Sequence, residues 1–369
     1  MKKIDTYPEL EQILSKHTIR NIAFQSLNLT GFEKLLADKN FIKCLFLDCE
    51  MTENMRLHIY TENYIFPRLD VPYSVYPPEL YNKNLLYGGY DYRTPESYKQ
   101  TYDKTVYDYY RKMGVETRNI KETLARSLHD HSINDALNAF LEHYEERKIV
   151  AIMGGHKLGR DDVMFLQIAL LSKQLAEQGF LMVSGGGPGA MEATHLGAWF
   201  AGKYNDELAE ALKILAKAPH YDHPEWIATA FQVLEKYPET KFKSLGIPTW
   251  LYGHELSTPF ATHIAKFFEN SIREEGLLAI AKGGVVFSPG SAGTMQEIFQ
   301  DLAQNHYESY GYASPMVFLD SKYWTEERPV FPLIKTMVER GDLHHIDLQI
   351  YDSNDDIITY LTHFSTKQP

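Results

Sequence analysis

The chain has little cysteine: Cys44 and Cys49 are the only two in 369 residues. Both lie in "CLFLDC", where they suit a strand interior, and two thiols so placed build neither a disulfide framework nor a metal site. Long apolar runs are also missing, and none approaches the ~20 residues of a membrane-crossing helix. The first residues, "MKKIDTYPELEQIL", carry two lysines but no apolar stretch and no small-residue cleavage site behind them, so they do not read as a secretory signal. Together these absences point to a reducing, cytoplasmic setting without a membrane partner. Positive charge is scarce as well, since 37 Lys and Arg face 49 Asp and Glu for a net charge of −12. Such a balance argues against a nucleic-acid backbone as the main partner. An anionic ligand then has to be held by local backbone dipoles and a few placed cations. No internal repeat and no low-complexity tract is visible along the chain.

What is present is ordinary globular composition, 44% hydrophobic and 23% charged, over a length that exceeds one usual α/β domain. Two regions are expected, divided near residue 145. In the first, 1–145, "IRNIAFQSLNL" (19–29) and "KCLFLDC" (43–49) read as two strands. A Tyr- and Pro-rich run beginning "YIFPRLDVPYSVYPPEL" follows and reads as irregular, because proline removes ladder donors. From about 95 the pattern turns helical, with "SINDALNAFLEHYEERK" opening on Ser132 as an N-cap. In the second region, 146–369, short apolar runs at 148–155, 180–187, 245–253, 283–290 and 314–320 alternate with amphipathic stretches. That alternation predicts a doubly wound α/β fold with a parallel sheet and crossover helices. "LQIYDS" (348–353) adds a weaker sixth run before a closing helix. The segment 201–244 is longer than a crossover needs, and reads as a helical lid or as extra packing.

Three of these runs end in glycine-rich turns. In open α/β sheets ligands bind outside the carboxyl ends of the strands, where loops present N–H groups and helix N-termini. Gly154 and Gly155 end one run; Gly185, Gly186, Gly187 and Gly189 end the next, in "SGGGPGAMEATHLGA". Either loop alone fits a ligand site or a plain strand-to-helix turn. The most specific stretch is "SPGSAGTMQEIFQD" (288–301). Here the apolar run delivers Gly290, Ser291, Gly293 and Thr294 to the start of a helix, whose free N–H groups and two hydroxyls make a neutral cradle for a phosphate. Glu297, one turn on, fits either a residue that complements the helix dipole or a catalytic carboxylate.

"PGSAGTMQE" resembles the P-G-G-x-G-T-x-x-E signature of the Lonely Guy family, often mislabelled lysine decarboxylases. "GGGPGAM" is similar to that family's second glycine loop, with Gly189 and Met191 in its glycine and methionine positions. "FFENSIREEG" occupies the place of its arginine-bearing helix. The resemblance spans roughly 148–320 and departs from the family in three ways: Ser291 replaces a signature glycine, Glu274 stands where lysine is usual, and the N-terminal region has no counterpart in short members. It implies a Rossmann-like nucleoside 5′-monophosphate phosphoribohydrolase, homo-oligomeric, working without metal or other cofactor. Glu297 would stabilise positive charge on the ribose and orient water, with Arg273 holding it or clamping the 5′-phosphate. Gly290, Ser291, Gly293 and Thr294 would take the phosphate, while Gly154, Gly155, Gly186, Gly187, Gly189 and Met191 would line the nucleotide pocket. The competing expectation is a non-catalytic nucleotide-binding sensor or carrier of the same fold.

Other motifs carry less. "HDH" (129–131) reads as a solvated polar patch, since adjacent helical positions face different ways. "HYDHPEW" (220–226) reads as a loop between helices. His254 and Glu255 follow a strand end and fit the pocket rim.

Overall fold

The run Ile149–Met153, IVAIM, is buried at all five positions. Continuous apolar residues rather than alternation are what a central parallel strand requires, because helices cover both its faces. The structure, a computed structural model, describes residues 1–366. Its chain forms two compact units, and the division is not one cut near residue 145. One unit is Met1–Leu80 with Glu116–Leu137, and the other is Tyr81–Val115 with Asn138 onward.

In the N-terminal unit, strands β1 (Lys2–Ile4), β3 (Ile22–Gln25), β5 (Leu45–Leu47) and β6 (Tyr64–Phe66) form a parallel sheet in that order. Strands β2 (Thr18–Arg20) and β4 (Asn40–Ile42) pair separately. Helices α1 (Tyr7–Leu14), α2 (Glu33–Ala37) and α3 (Glu53–Ile59) connect them, and α6 (Ile120–Leu141) contributes as far as Leu137. The stretch read as one strand over 19–29 is two, because Asn21 takes φ +53° and turns the chain between β2 and β3. Lys43 does the same between β4 and β5, again at φ +53°. The two halves therefore repeat. Every pairing of β2 with β4 and of β3 with β5 joins residues 22 apart, as in Ile19 with Phe41 and Phe24 with Phe46. Ser26 and Asp48, the next positive-φ positions, keep the same offset. Hence the expectation of no internal repeat is overturned: two turns of one plan stack and bury Phe24, Phe41 and Phe46 in a shared core. The Tyr- and Pro-rich run is not irregular throughout, since its first residues are β6.

Two further readings change here. Ser132 is no cap: it lies inside α6 and its hydroxyl donates to Leu128 O. His129 and Asp130 are buried, not solvated, with His129 Nδ1 2.8 Å from Asp130 Oδ1. Cys44 and Cys49 are free thiols flanking β5, and burial pushes the Cys49 thiol up to about 11.

The second unit holds a seven-stranded parallel sheet. Its strands are β7 (Ile149–Met153), β8 (Leu181–Ser184), β9 (Ser244–Gly246), β10 (His263–Ile264), β11 (Gly284–Phe287), β12 (Pro315–Leu319) and β13 (Asp347–Tyr351). Their spatial order is β10-β9-β8-β7-β11-β12-β13. The two-residue β10 escapes a sequence reading because it is too short for a pattern. Helices α7 (Val163–Glu177), α8 (Ala190–Phe200), α11 (Asn270–Ile280), α12 (Ala292–His306), α13 (Val330–Glu339) and α14 (Asn354–Thr366) flank the sheet. The long 201–244 segment is a helical hairpin, α9 (Asn205–Leu215) and α10 (Trp226–Lys236). Helices α4 (Lys83–Leu86) and α5 (Tyr102–Met113) also belong here. A buried ion pair ties α5 in, with Lys266 Nζ 2.5 Å from Asp103 Oδ1 and both side chains about fully enclosed.

Candidate functional site

The site follows from strand order. The chain winds outward from β7 through β10, then returns to lay β11 on the other side of β7. Its direction of winding reverses between β7 and β11, so the crevice at their carboxyl ends is where this architecture receives ligands. The loops after β7, β8 and β11 meet there. Ala190 N–H donates to Gly155 O and Gly155 N–H donates to Pro289 O, each at 3.1 Å. Gly154 is pressed inward, against the Ser288 hydroxyl and Ala190, and serves packing rather than the crevice.

The signature helix α12 begins at Ala292, two residues before the expected Thr294. The first internal bond runs from Met295 N–H to Ser291 O, so the N–H groups of Ala292, Gly293 and Thr294 have no acceptor within the helix. Ser291 is exposed and its side chain does not cap the helix. Thr294 is buried, with its hydroxyl lying against Gly290. Ser291 thus stands exposed at the helix start, while Thr294 packs against the turn at Gly290.

Arg273 stands in the first turn of α11, which starts at the carboxyl ends of the strands, and is only 9% exposed. Its Nε–H donates to Ile247 O at 2.8 Å. The guanidinium lies directly on Gly185: a Cβ there would come within 2.2 Å of Arg273 Nη2 and 2.7 Å of Met191 Sδ. Met191 also folds over Gly187, so the methionine and the arginine together cover the second glycine loop, in which Gly186 and Gly189 take positive φ. Gly185→Ala should therefore evict Arg273 and lower stability by about 1–3 kcal/mol through overpacking. An unchanged melting temperature, with Arg273 still in place in the variant's structure, would refute that contact.

Glu297 keeps part of its surface open, yet most of the volume around its carboxyl is protein. Burial pushes the carboxyl up to about 7, against the opposing pull of the Arg273 charge and with a further push from Glu274. The two residues singled out from the sequence are thus electrostatic neighbours at one crevice. Glu274 accepts from Asn270 Nδ2 at 2.6 Å and from Gln296 Nε2 at 2.8 Å, which fixes its charge beside theirs. At the rim, Glu255 Oε1 lies 3.8 Å from His156 Nε2 and 3.7 Å from His254 Nε2.

Three supports went unread in the sequence. Arg160 and Glu192 form a fork-to-fork pair at 2.7 and 2.6 Å, with the rest of the guanidinium bound to Ala218 O, Trp226 O and Thr229 Oγ1 and stacked on Trp226. That single arginine ties the loop after β7, helix α8 and the helical hairpin together. His195 is wholly enclosed between the Ser184 and Ser244 hydroxyls, and burial pulls its pKa down to about 3. It is a neutral brace under the second glycine loop, whose Gly186 N–H donates to the same Ser184 hydroxyl. Tyr323 donates its hydroxyl to Gly290 O. Glu192 and His195 lie in the quoted glycine-loop stretch, but their roles were not visible there, because each of the three works through partners elsewhere in the chain.

Among the described residues no group of three or more His, Cys, Asp or Glu is placed to hold a metal. No helix there is long and apolar enough to cross a membrane. Residues 231–363 match the model of a family described as "Possible lysine decarboxylase". A search of curated proteins gave no match. Among solved structures, the molybdenum cofactor binding protein from the phototrophic bacterium Rippkaea orientalis is similar over 59% of this chain and 97% of its own. Its identity is 15% and its TM-score 0.38. The molybdenum cofactor carrier protein from Chlamydomonas reinhardtii is similar over 59% of this chain and 98% of its own, at 15% identity and a TM-score of 0.36. At that similarity neither bears on function. The family match contains α11, the signature loop and α12, so Arg273 and Glu297 both lie within the stretch that is similar to that family.

Proposed function

We propose that the protein hydrolyses a nucleoside 5′-monophosphate to free base and ribose 5-phosphate. The observation that carries this reading is the placement of Glu297 beside Arg273 behind a helix N-terminus whose N–H groups are free. Breaking an N-glycosidic bond develops positive charge on the ribose, and a carboxylate at the anomeric carbon stabilises that charge more in the transition state than in the ground state. A carboxyl that titrates near neutrality also accepts a proton from the attacking water more readily than an ordinary one. The loop backbone of Gly290–Thr294 holds the 5′-phosphate, and Arg273, already anchored on Ile247 O, orients Glu297. No step calls for a metal.

The test is release of free base from a panel of purine and pyrimidine 5′-monophosphates, followed by chromatography. A second reading, a carrier or sensor that binds the nucleotide without cleaving it, draws on the same Arg273 anchor: its bond to Ile247 O and its seat on Gly185 exist whether or not it serves catalysis. Thermal stabilisation by a nucleotide with no base released from any of them would select that reading.

The ionised form of Glu297 is the active one, so the rate should rise with pH through a midpoint near 7, where its carboxyl titrates. Glu274→Gln removes a neighbouring negative charge and should move that midpoint to lower pH. A midpoint unmoved in Glu274→Gln would mean that another group controls the profile.

A further inference from the structure

Two carbonyls at the turn of the signature loop are each held by a donor from elsewhere in the unit. Pro289 O accepts from Gly155 N–H at 3.1 Å, and Gly290 O accepts from the Tyr323 hydroxyl at 2.5 Å. In a trans peptide the C=O and the following N–H point in opposite directions, and no peptide bond among the described residues is cis. Fixing these carbonyls therefore fixes the Gly290 and Ser291 N–H groups on the opposite side. With Ala292–Thr294 they make five successive backbone N–H groups at the helix start, the kind of donor run that binds anions.

The tyrosine is itself held with unusual care. It opens a short π-helical turn, Tyr323–Glu327, with three residues between it and the end of β12. Asp320, at φ +81°, accepts the Tyr323 N–H on its side chain at 3.0 Å. The neighbouring Trp324 is fully buried and donates Nε1–H to Phe287 O and Leu319 O, stapling the ends of β11 and β12. Its ring meets that of Tyr323 edge-on at 4.9 Å. A left-handed non-glycine residue and a π turn are both costly features that persist where surrounding contacts enforce them. Here they aim one hydroxyl at one carbonyl.

We infer that Tyr323 is a positioning residue for the phosphate of the bound nucleotide, acting through the Gly290 carbonyl; this rests on the reading of the loop as a phosphate cradle. In Tyr323→Phe the carbonyl loses its donor and the Gly290–Ser291 peptide is free to rotate its oxygen toward the anion. The chemistry at Glu297 is untouched, so KM rises while kcat stays nearly constant.

The experiment is calorimetric titration of wild type and Tyr323→Phe with adenosine 5′-monophosphate, with adenosine and with inorganic phosphate, alongside melting curves. The expected result is a loss of about 3–10-fold in affinity for the monophosphate and for phosphate, with adenosine affinity unchanged. Equal affinities in the two proteins would overturn the inference. So would an equal loss for adenosine and its monophosphate, which marks a general loosening of the fold, or a wild type that does not bind phosphate. Because inorganic phosphate and adenosine are not cleaved, their affinities are read apart from catalysis, and failure of the hydrolase reading shows separately, as a wild type that binds the monophosphate but releases no base.

Discussion

Glu297→Gln should lower the rate of base release by about a hundred- to ten-thousandfold with little change in nucleotide affinity. The amide keeps the size and hydrogen-bonding reach of the acid but offers neither a charge for the developing cation nor a base for water. Arg273→Ala should lose activity as well, and with it the alignment of Glu297. The Glu297 variant should also be the more stable protein at neutral and higher pH. Its carboxyl is raised from 4.5 to about 7 in the folded chain, so between those values the folded state binds the proton that the unfolded state has released. Stability of the wild type accordingly falls as pH rises from about 4.5 to 7, and the full penalty applies above 7. Glutamine removes it, which should raise stability by about 1–3 kcal/mol at pH 8 and by almost nothing at pH 4. Melting curves at the two pH values, beside the activity assay, check both halves. A variant that is active, or no more stable at pH 8 than at pH 4 relative to wild type, would remove Glu297 from this role. A gain in stability on losing a catalytic group is the usual sign of a site that holds a charge where it is unwelcome.

The largest loss of stability should come from the buried fork of Arg160 and Glu192. Both side chains are about fully enclosed, so removing either one strands the other's charge inside the protein. Arg160→Ala or Glu192→Gln should cost about 3–5 kcal/mol, or roughly 6–15 °C in melting temperature for a unit of this size. Arg160 also caps Ala218 O and Trp226 O at the turn of the α9–α10 hairpin, so the hairpin should become the first site of proteolysis in either variant. The double change Arg160→Met with Glu192→Leu should be far milder than the two single losses added together, because no charge is left unpaired. Single variants as stable as wild type would show that water reaches the pair in solution.

Much of the second unit was legible in the sequence because its signals are local. Apolar runs of strand length, three of them closed by glycine-rich turns, give a parallel sheet and locate its carboxyl ends. A helix N-terminus behind Pro289 and Gly290 marks a turn with free N–H groups and Glu297 one turn on, while Arg273 stands out only through the family resemblance. The first unit was less legible. Its 22-residue repeat lies in backbone conformation, not in residue identity: Asn21 is matched by Lys43 and Ser26 by Asp48, and only their positive φ values reveal the correspondence. The course of Tyr81–Val115 was equally hidden, since its membership of the second unit depends on Asp103 reaching Lys266 across 163 positions of chain.

Local order in the second unit, then, was largely set by the sequence: which apolar runs are its longer strands, and which turn offers free N–H groups beside an acid. Tertiary structure decided what those groups become. The guanidinium of Arg273 over Gly185, the carboxyl of Glu297 lifted to about 7, and the hydroxyl of Tyr323 under Gly290 each arise where segments distant in sequence are packed together. Desolvation and charge coupling depend on all the atoms within a few ångströms of a group, and only the folded chain assembles that neighbourhood.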